Sequence, residues 1–253
     1  MARGMLIVFE GIDGAGKHTQ ITRLAAALAA HNTPNEVISF PAYQTFFGRL
    51  IERYLNGEFG PLDQVDPHFS AMLFAGDRLK QKNRILAALH AGKTLLADRY
   101  VASNLAHQGS RVPPAQRAAF LDWLRKLEYG AYELPAEDLV LYLRIDPRVA
   151  KERLHIRRAG PAGRDAGDLH ESDTEHLAAA AALYDELARG DNWITIDCDE
   201  PATGHPRSAD EIHALVMAAV DVRLARFRAR QALAAPLPEN DEADHDFDVG
   251  GSG

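Results

Sequence analysis

The segment FEGIDGAGKHT, residues 9–19, places glycines and a lysine at the spacing of a phosphate-binding loop. That pattern is Gly, four residues, Gly-Lys and then Ser or Thr, but here His18 takes the hydroxyl position. Such a loop binds phosphate because backbone N–H groups and a helix N-terminus point at the phosphate oxygens, while the lysine reaches the outer phosphates. We therefore predict a nucleotide phosphate site formed by Gly11, Ile12, Asp13, Gly14, Ala15, Gly16, Lys17, His18 and Thr19.

The residue at position 18 affects how a metal ion is held more than whether phosphate binds. A Ser or Thr there would give Mg²⁺ one oxygen ligand, and water can replace that ligand in the shell of a hard cation. Imidazole is a poor ligand for Mg²⁺, so we assign His18 no metal-ligand role. The substitution predicts a weakened metal site and an intact phosphate site. Thr19, one residue further along the helix, is expected to hydrogen-bond an inner phosphate.

Hydrophobic patterns predict the elements that position this loop. Leu6 to Phe9 is a short apolar run typical of a central parallel strand, and apolar residues at helical spacing predict a helix from Lys17 to about Ala30. Further strands are predicted at residues 37–40, 94–97, 139–143 and 193–196, and further helices at residues 47–55 and 69–89, after Asp146-Pro147 and after Ser208. The alternation predicts an α/β fold with one doubly wound, five-stranded parallel sheet and helices on both faces.

Composition excludes several classes of protein. The formal net charge of the 253 residues is −8, but residues 231–253 hold six acidic side chains and no Lys or Arg, and without those six charges the remainder carries −2. A nearly neutral body argues against binding of a nucleic acid polymer. No apolar stretch approaches the ~18 residues of a membrane span, and one cysteine, Cys198, suits a reducing compartment. We predict a cytoplasmic protein with a folded domain over residues 1–230 and an acidic, disordered tail over residues 231–253.

A phosphate-binding loop alone allows switches, motors and kinases. Guanine-specific switches use an Asn-Lys-x-Asp base reader, and Asn-Lys occurs nowhere in this chain. Three segments occur in order: Glu10-Gly-Ile-Asp-Gly-Ala-Gly-Lys17, Leu73-Phe-Ala-Gly-Asp-Arg78 and Asp98-Arg-Tyr-Val-Ala-Ser-Asn104. With them, residues 5–225 resemble the thymidylate kinase family. The resemblance implies a P-loop kinase fold with an Arg-containing lid, dTMP and ATP as substrates, Mg²⁺ as cofactor and a homodimer.

The resemblance also implies roles for individual residues. Lys17 would hold the donor phosphates, Arg99 would clamp phosphates, Asp98 would hold Mg²⁺ through water, and Asp13 would lie near the acceptor phosphate. Binding of dTMP is expected from Phe40, Pro41, Tyr43, Phe74, Arg78, Arg99, Ser103, Asn104, His107, Asp168 and His170.

Base recognition is expected from one face of a helix and from the segment after the third strand. Phe74 and Arg78 are four residues apart and so share a helix face; the ring would stack on the pyrimidine and the guanidinium would donate to its carbonyl oxygen. Taken alone, the pair would more simply be a core Phe and a surface Arg. Asn104, with both a donor and an acceptor, would pair with the thymine edge.

The chain departs from the family pattern at several positions on the acceptor side. Ala42 stands where members often carry Arg, which makes Tyr43 a candidate for the acceptor phosphate. His107 replaces an aromatic residue that packs where a ribose 2′-hydroxyl would go, so discrimination against ribonucleotides is open. His170 takes the aromatic place in Asp168-Leu-His-Glu171.

The lid carries the remaining catalytic candidates. Eukaryotic members have an Arg inside the loop, where this chain has Gly14, whereas many bacterial members place Arg in the lid. Arg157, Arg158 and Arg164 lie in the Gly/Pro-rich lid stretch, and the sequence does not choose among them.

Two alternatives stay open at this level. One is a different kinase of the same fold acting on another nucleotide. The other is a nucleotide-binding protein without catalysis, which His18, Ala42 and His107 would suit. Phosphoryl transfer needs positioning and charge neutralisation, and no general base is expected because the acceptor phosphate is already an anion.

Overall fold

The computed structural model describes residues 3–159, 174–200 and 203–234. Five strands form one parallel sheet, as the sequence predicts, and the structure shows their order to be β2-β3-β1-β4-β5. Their bounds are β1 (Leu6–Glu10), β2 (Asn35–Ser39), β3 (Thr94–Asp98), β4 (Leu139–Arg144) and β5 (Trp193–Asp197). Central β1 is buried along its length, with Val8 opposite Ala97 of β3 and Val140 of β4. Only β2 departs noticeably from its prediction, since it begins two residues earlier.

Helices cover both faces of the sheet. They are α1 (Lys17–Ala30), α2 (Phe46–Leu55), α3 (Pro67–His90), α4 (Val101–Gly109), α5 (Pro114–Arg125), a π-helical segment (Lys126–Ala131), α6 (Pro147–Ala159), α7 (Thr174–Leu187) and α8 (Ala209–Ala234). The sequence patterns do not predict α4, α5, the π-helical segment or α7. Every residue of α4 is buried, so α4 lacks the polar face whose periodicity marks a helix.

Successive residues of β1 point into two different apolar layers, because side chains alternate across a strand. Ile7 and Phe9 pack in a cluster that includes residues of α1, α7 and α8. Leu6 and Val8 pack in a second cluster with residues of α3, α4 and α5. Cys198, directly after β5, is fully buried in the first cluster.

The helix starts predicted from capping residues are confirmed. Asp146 Oδ1 accepts a hydrogen bond from the N–H of Arg148 at 2.8 Å, ahead of α6. Before α8, the N–H of Ser208 donates to Glu211 Oε2 at 2.7 Å, and the N–H of Glu211 donates to Ser208 Oγ at 3.2 Å. This reciprocal pair is a capping box.

The last helix runs to Ala234, past the boundary predicted after residue 230. The rest of the predicted acidic tail lies outside the described residues. Within residues 3–159, 174–200 and 203–234, no helix combines the length and the apolar character that a membrane crossing requires.

Candidate active site

The phosphate-binding loop and the segment after β3 meet at the carboxyl edge of the sheet, where ligands bind in open α/β folds. β1 ends at Glu10, the loop follows, and α1 begins at Lys17. β3 lies beside β1, with Phe9 in register with Asp98, so Arg99 emerges next to the loop. The predicted strand-loop-helix context is therefore present.

Glycines give the loop backbone angles that other residues rarely adopt. Gly11, Gly14 and Gly16 have φ of 135°, 89° and 90°, in the region that favours glycine. A Cβ on Gly14 would also lie 2.6 Å from the carbonyl oxygen of Ala150 on α6. Packing of α6 against the loop thus excludes a side chain at Gly14, including the loop arginine of eukaryotic members.

Lys17 is folded back over its own loop. Its Nζ donates to the carbonyl oxygens of Gly11 at 2.9 Å and Ile12 at 3.0 Å, and the residue is only 7% exposed. Burial, together with the nearby Arg99 guanidinium, lowers the pKa of Lys17 to about 8 although Asp13 and Asp98 act in the opposite direction. The nearby carboxylates do not fully offset the burial of the Lys17 ammonium group, so a negatively charged ligand beside it would be favourable.

Arg99 connects the loop with the segment after β3. Its backbone has φ of 65°, an uncommon conformation for a non-glycine residue. The guanidinium donates to Asp13 Oδ1 at 2.5 Å, to Ser103 Oγ at 3.1 Å and to the carbonyl oxygen of Gly11 at 3.3 Å. His107 Nε2 lies 3.3 Å from Nη1. The planar guanidinium, whose N–H groups point in fixed directions, is thus held between the predicted ATP site and the predicted dTMP site.

Asp13 stays ionised in this arrangement. Burial disfavours its charge, but Arg99 and then Lys17 outweigh that effect and hold the pKa of Asp13 well below its usual value. Opposite charges likewise raise the pKa of Arg99 despite its burial, with Asp13 contributing most. The pair is a charged clamp at neutral pH.

Glu10 ends β1 directly before the phosphate-binding loop, and the sequence predicts no role for it. Its fully buried carboxylate accepts from the N–H groups of Tyr100 at 2.8 Å and Ser103 at 3.1 Å, at the start of α4. It also accepts from the hydroxyls of Ser103 at 2.6 Å and Tyr184 at 2.8 Å. Glu10 thereby fixes the first turn of α4, which carries Ser103 and lies just after Arg99.

A pocket opens beside Arg99. It brings together nine of the eleven residues predicted for dTMP binding, with Asp13, Leu55 and Gln108 completing the wall. The nine are Phe40, Pro41, Tyr43, Phe74, Arg78, Arg99, Ser103, Asn104 and His107.

The loop before α2 is held by Asp77, whose buried carboxylate accepts from the N–H of Ala42 at 2.7 Å and from Thr45 Oγ1 at 2.8 Å.

Two of the side chains that the sequence predicts to contact the base, Arg78 and Asn104, differ from the expectations. Arg78 is 2% exposed and donates to both oxygens of Glu128, so it is neither a surface residue nor free. Asn104 Nδ2 donates to Glu128 Oε1 at 2.9 Å and to the carbonyl oxygen of Ala71 at 3.0 Å. Because both N–H groups are used, Asn104 offers the pocket its oxygen and no donor.

The remaining predicted residues divide into three groups. His18 is exposed, with Nδ1 4.0 Å from Asp98 Oδ2, and Thr19 is exposed beside it. Arg157 and Arg158 belong to the end of α6, but their side chains are not among those described. Arg164, Asp168 and His170 lie outside the described residues.

The Asp98 carboxylate fits the requirements of Mg²⁺. In the part of the chain that the structure describes, no three His, Cys, Asp or Glu side chains form a group that could hold a metal ion. Mg²⁺ does not need such a cage, because it keeps several waters and binds through one or two carboxylates and substrate phosphates. Asp98 supplies one such carboxylate at the end of β3, on the side of the loop where His18 begins α1.

Comparison with known proteins identifies the family. The family model described as thymidylate kinase matches residues 9–205. The thymidylate kinase of Mycobacterium tuberculosis strain H37Rv is 32% identical over 199 residues, covering 77% of this chain and 92% of that protein. Human thymidylate kinase is 37% identical over 151 residues, covering 60% and 66%. A solved structure of Candida albicans thymidylate kinase has the same fold, with a TM-score of 0.68 at 22% identity, covering 88% of this chain and 93% of that one. Since the family match spans most of its length, this chain belongs to the thymidylate kinase family.

Proposed function

We propose that this protein transfers the γ-phosphate of ATP to dTMP, giving dTDP. The observation that carries the proposal is the Arg99 side chain, which lines the pocket and also donates to Asp13 and Gly11 of the phosphate-binding loop. A donor bound in the loop and an acceptor bound in the pocket would meet at this guanidinium. In-line transfer needs that juxtaposition together with fixed positive charge.

On the donor side, Lys17 and the N–H groups of the loop hold the phosphates of ATP. Lys17 leaves the carbonyl oxygens of Gly11 and Ile12 when it reaches a phosphate oxygen. Asp98 would hold Mg²⁺ through water, and the bound ion would neutralise phosphate charge. Water would take the place of the hydroxyl ligand that His18 does not provide.

On the acceptor side, dTMP lies with its base toward Arg78 and Asn104 and its phosphate toward Arg99. Phe74 stacks on the pyrimidine, and Tyr43 lies near the phosphate in the place of a family arginine. Ser103 and His107, both in contact with Arg99, lie between base and phosphate. Asp168 and His170 are proposed to complete the nucleoside site from the lid.

Charge that develops in the transition state is offset by Arg99 and by one lid arginine. Arg157, Arg158 and Arg164 are the candidates. We expect one of three separate alanine variants to lose ~10³-fold in kcat with a modest change in KM. The protein is further proposed to act as a homodimer in the cytoplasm.

A coupled assay of ADP release with dTMP, dUMP, dCMP, dAMP and dGMP tests the proposal. We expect the order dTMP, then dUMP, with the other three effectively inactive, because one methyl group contributes ~1–3 kcal/mol whereas mismatched buried polar contacts can reject an analogue by ~10⁴-fold. A higher rate with a nucleotide other than dTMP would indicate another kinase of this fold. ATP binding without turnover of any acceptor would indicate a nucleotide-binding protein.

A further inference from the structure

A buried polar cluster lies behind the base end of the pocket and joins three elements. Glu128, in the π-helical segment, accepts from Arg78 Nε at 2.6 Å and from Arg78 Nη2 at 2.5 Å on α3. The same carboxylate accepts from Asn104 Nδ2 of α4 at 2.9 Å. Glu128 is fully buried and does not line the pocket, whereas Arg78 and Asn104 do.

These contacts fix the orientation of the Asn104 amide. Its nitrogen faces two groups that can only accept, the Glu128 carboxylate and the carbonyl oxygen of Ala71. Rotating the amide by 180° would bring its oxygen against both acceptors and remove the hydrogen bonds that they accept from Asn104. The amide orientation therefore follows from its neighbours.

The opposite end of the amide has no partner within the described chain. Asn104 Oδ1 is buried and makes no hydrogen bond to any described residue. An unpaired buried acceptor is unfavourable, and a ligand that brings an N–H group to this point would satisfy it. Asn104 is 2% exposed and lines the pocket, so a ligand in the pocket could supply that donor.

The same carboxylate decides which donors Arg78 presents. Glu128 takes Nε and one N–H of Nη2, and among the described residues Nη1 makes no hydrogen bond. Arg78 has donors only, so it faces the pocket with N–H groups. Bidentate pairing fixes the plane of the guanidinium as well as its position.

We propose that Glu128 is a positioning residue that sets base specificity, because it orients an acceptor on Asn104 and donors on Arg78 toward one edge of the base. A pyrimidine with N3–H and a 4-carbonyl complements that arrangement. Cytosine, with an unprotonated N3 and a 4-amino group, opposes it at both points. The inference rests on the proposed dTMP site and adds a residue that does not touch the substrate.

Two features favour this role over a purely stabilising one. Buried ion pairs often contribute little net stability compared with apolar residues of similar size, so the pair is weak evidence for a structural role. Glu128 also lies in a π-helical segment that directly follows α5, and such segments are frequent at functional sites.

The test compares Glu128→Gln with a matched control, Glu133→Gln. Glu133 lies two residues after the π-helical segment and its side chain is 77% exposed. It pairs with Lys82 of α3 at 2.9 Å, so it makes an ion pair to the same helix as Glu128, but at the surface. In Glu128→Gln the Gln amide can donate to the Asn104 oxygen, which frees Asn104 to present N–H groups to the base. We expect kcat/KM for dTMP, relative to dCMP, to fall at least ~10-fold in Glu128→Gln, the change expected for one charge-assisted hydrogen bond. Glu133→Gln should keep the ratio of the unaltered protein.

A structural role would lower both rates and leave the ratio unchanged, and that result would overturn the proposal. As a further check, Glu128→Gln should change the ratio less in an Asn104→Ala background than in the unaltered protein, since one of the two side chains through which Glu128 acts is then absent. An additive effect would contradict that route.

Where the variants do not fold, the unaltered protein still gives an answer through 3-methyl-dTMP, which has a methyl group in place of N3–H. We expect dTMP to bind in a calorimetric titration and 3-methyl-dTMP to bind at least ~10-fold more weakly. Equal affinities would overturn the inferred acceptor. If dTMP neither binds nor reacts, the proposed function fails, which is a different outcome from an unchanged ratio.

Discussion

Arg99 Nη2 donates to Asp13 Oδ1 at 2.5 Å, which ties the residue after β3 to the phosphate-binding loop after β1. The arginine adopts a positive φ to make this contact, and conformations of that kind persist where the surroundings over-determine them. Here the surroundings are Glu10 and the first turn of α4. A guanidinium held in this way needs little reorganisation when phosphate oxygens arrive, and this is the basis of electrostatic catalysis.

Replacing Arg99 by lysine should therefore cost most of the turnover. Lysine keeps the charge but has one donor centre, so it cannot contact Asp13, Ser103 and a phosphate group together. We expect kcat to fall by ~10²-fold or more in a coupled ADP-release assay, with the fold retained by circular dichroism. Arg49→Lys is the control, since Arg49 is exposed and donates to the carbonyl oxygen of Gln44. An Arg99→Lys enzyme with near-normal kcat would show that the clamp is not used in transfer.

The pKa of Lys17 makes proton uptake a test of where ATP binds. In the ligand-free protein burial lowers that pKa to about 8, from its usual 10.5. Phosphate oxygens beside Nζ would raise it again, so binding at pH 8.5 to 9 should take up a proton, whereas below pH 7 Lys17 is already protonated and should take up none. Titration calorimetry in two buffers of different ionisation enthalpy measures this uptake. Lys17→Met should abolish both uptake and turnover; uptake that persists in this variant would assign the proton to another group.

Removal of the Glu10 charge should destabilise the start of α4 and, with it, the position of Arg99. Glu10→Gln retains the shape of the side chain but turns one acceptor into a donor, opposite hydroxyls of Ser103 and Tyr184 that now donate to Glu10. Loss of charge-assisted hydrogen bonds in a buried setting should lower the free energy of unfolding by about 2 kcal/mol. Urea denaturation measures this loss, and kcat should fall because Arg99 lies just before the turn that Glu10 holds.

Glu36→Gln provides the comparison for Glu10→Gln. Glu36 pairs with Arg84 and Lys93 at a partly exposed position, where ion pairs contribute ~1 kcal/mol or less. Equal losses in the two variants would mean that the Glu10 network has no special role.

How far the sequence predicted this molecule depends on how local each feature is. The loop from Gly11 to Lys17 and the five strands were predictable because spacing and apolar runs encode them within a few residues. The helix after β3 was not, because α4 is buried on all sides and shows no amphipathic pattern.

The site follows the same rule. Residues that resemble family motifs were predicted, and the structure brings nine of the eleven dTMP candidates into one pocket. Glu10 and Glu128 were not assigned roles, since their partners are remote in sequence: Tyr184 lies 174 positions from Glu10, and Arg78 lies 50 positions from Glu128. One acidic residue at the end of a strand, or within a helix, does not indicate which distant residue it will contact.

The substitution of the loop hydroxyl by His18 should be visible in the metal dependence of the enzyme. His18 is 87% exposed at its side chain and lies 4.0 Å from Asp98, so a smaller residue can replace it without disturbing the core. His18→Ser would restore an oxygen ligand of the kind that Mg²⁺ prefers, at the first turn of α1. We expect this variant to stay active and to need less Mg²⁺ for half-maximal rate, measured by titrating Mg²⁺ at saturating ATP and dTMP. His31→Ser, at the exposed C-terminal end of the same helix, should leave the Mg²⁺ requirement unchanged. Loss of activity in His18→Ser would instead give the imidazole a direct part in the reaction, which the arrangement of Lys17, Arg99 and Asp98 does not require.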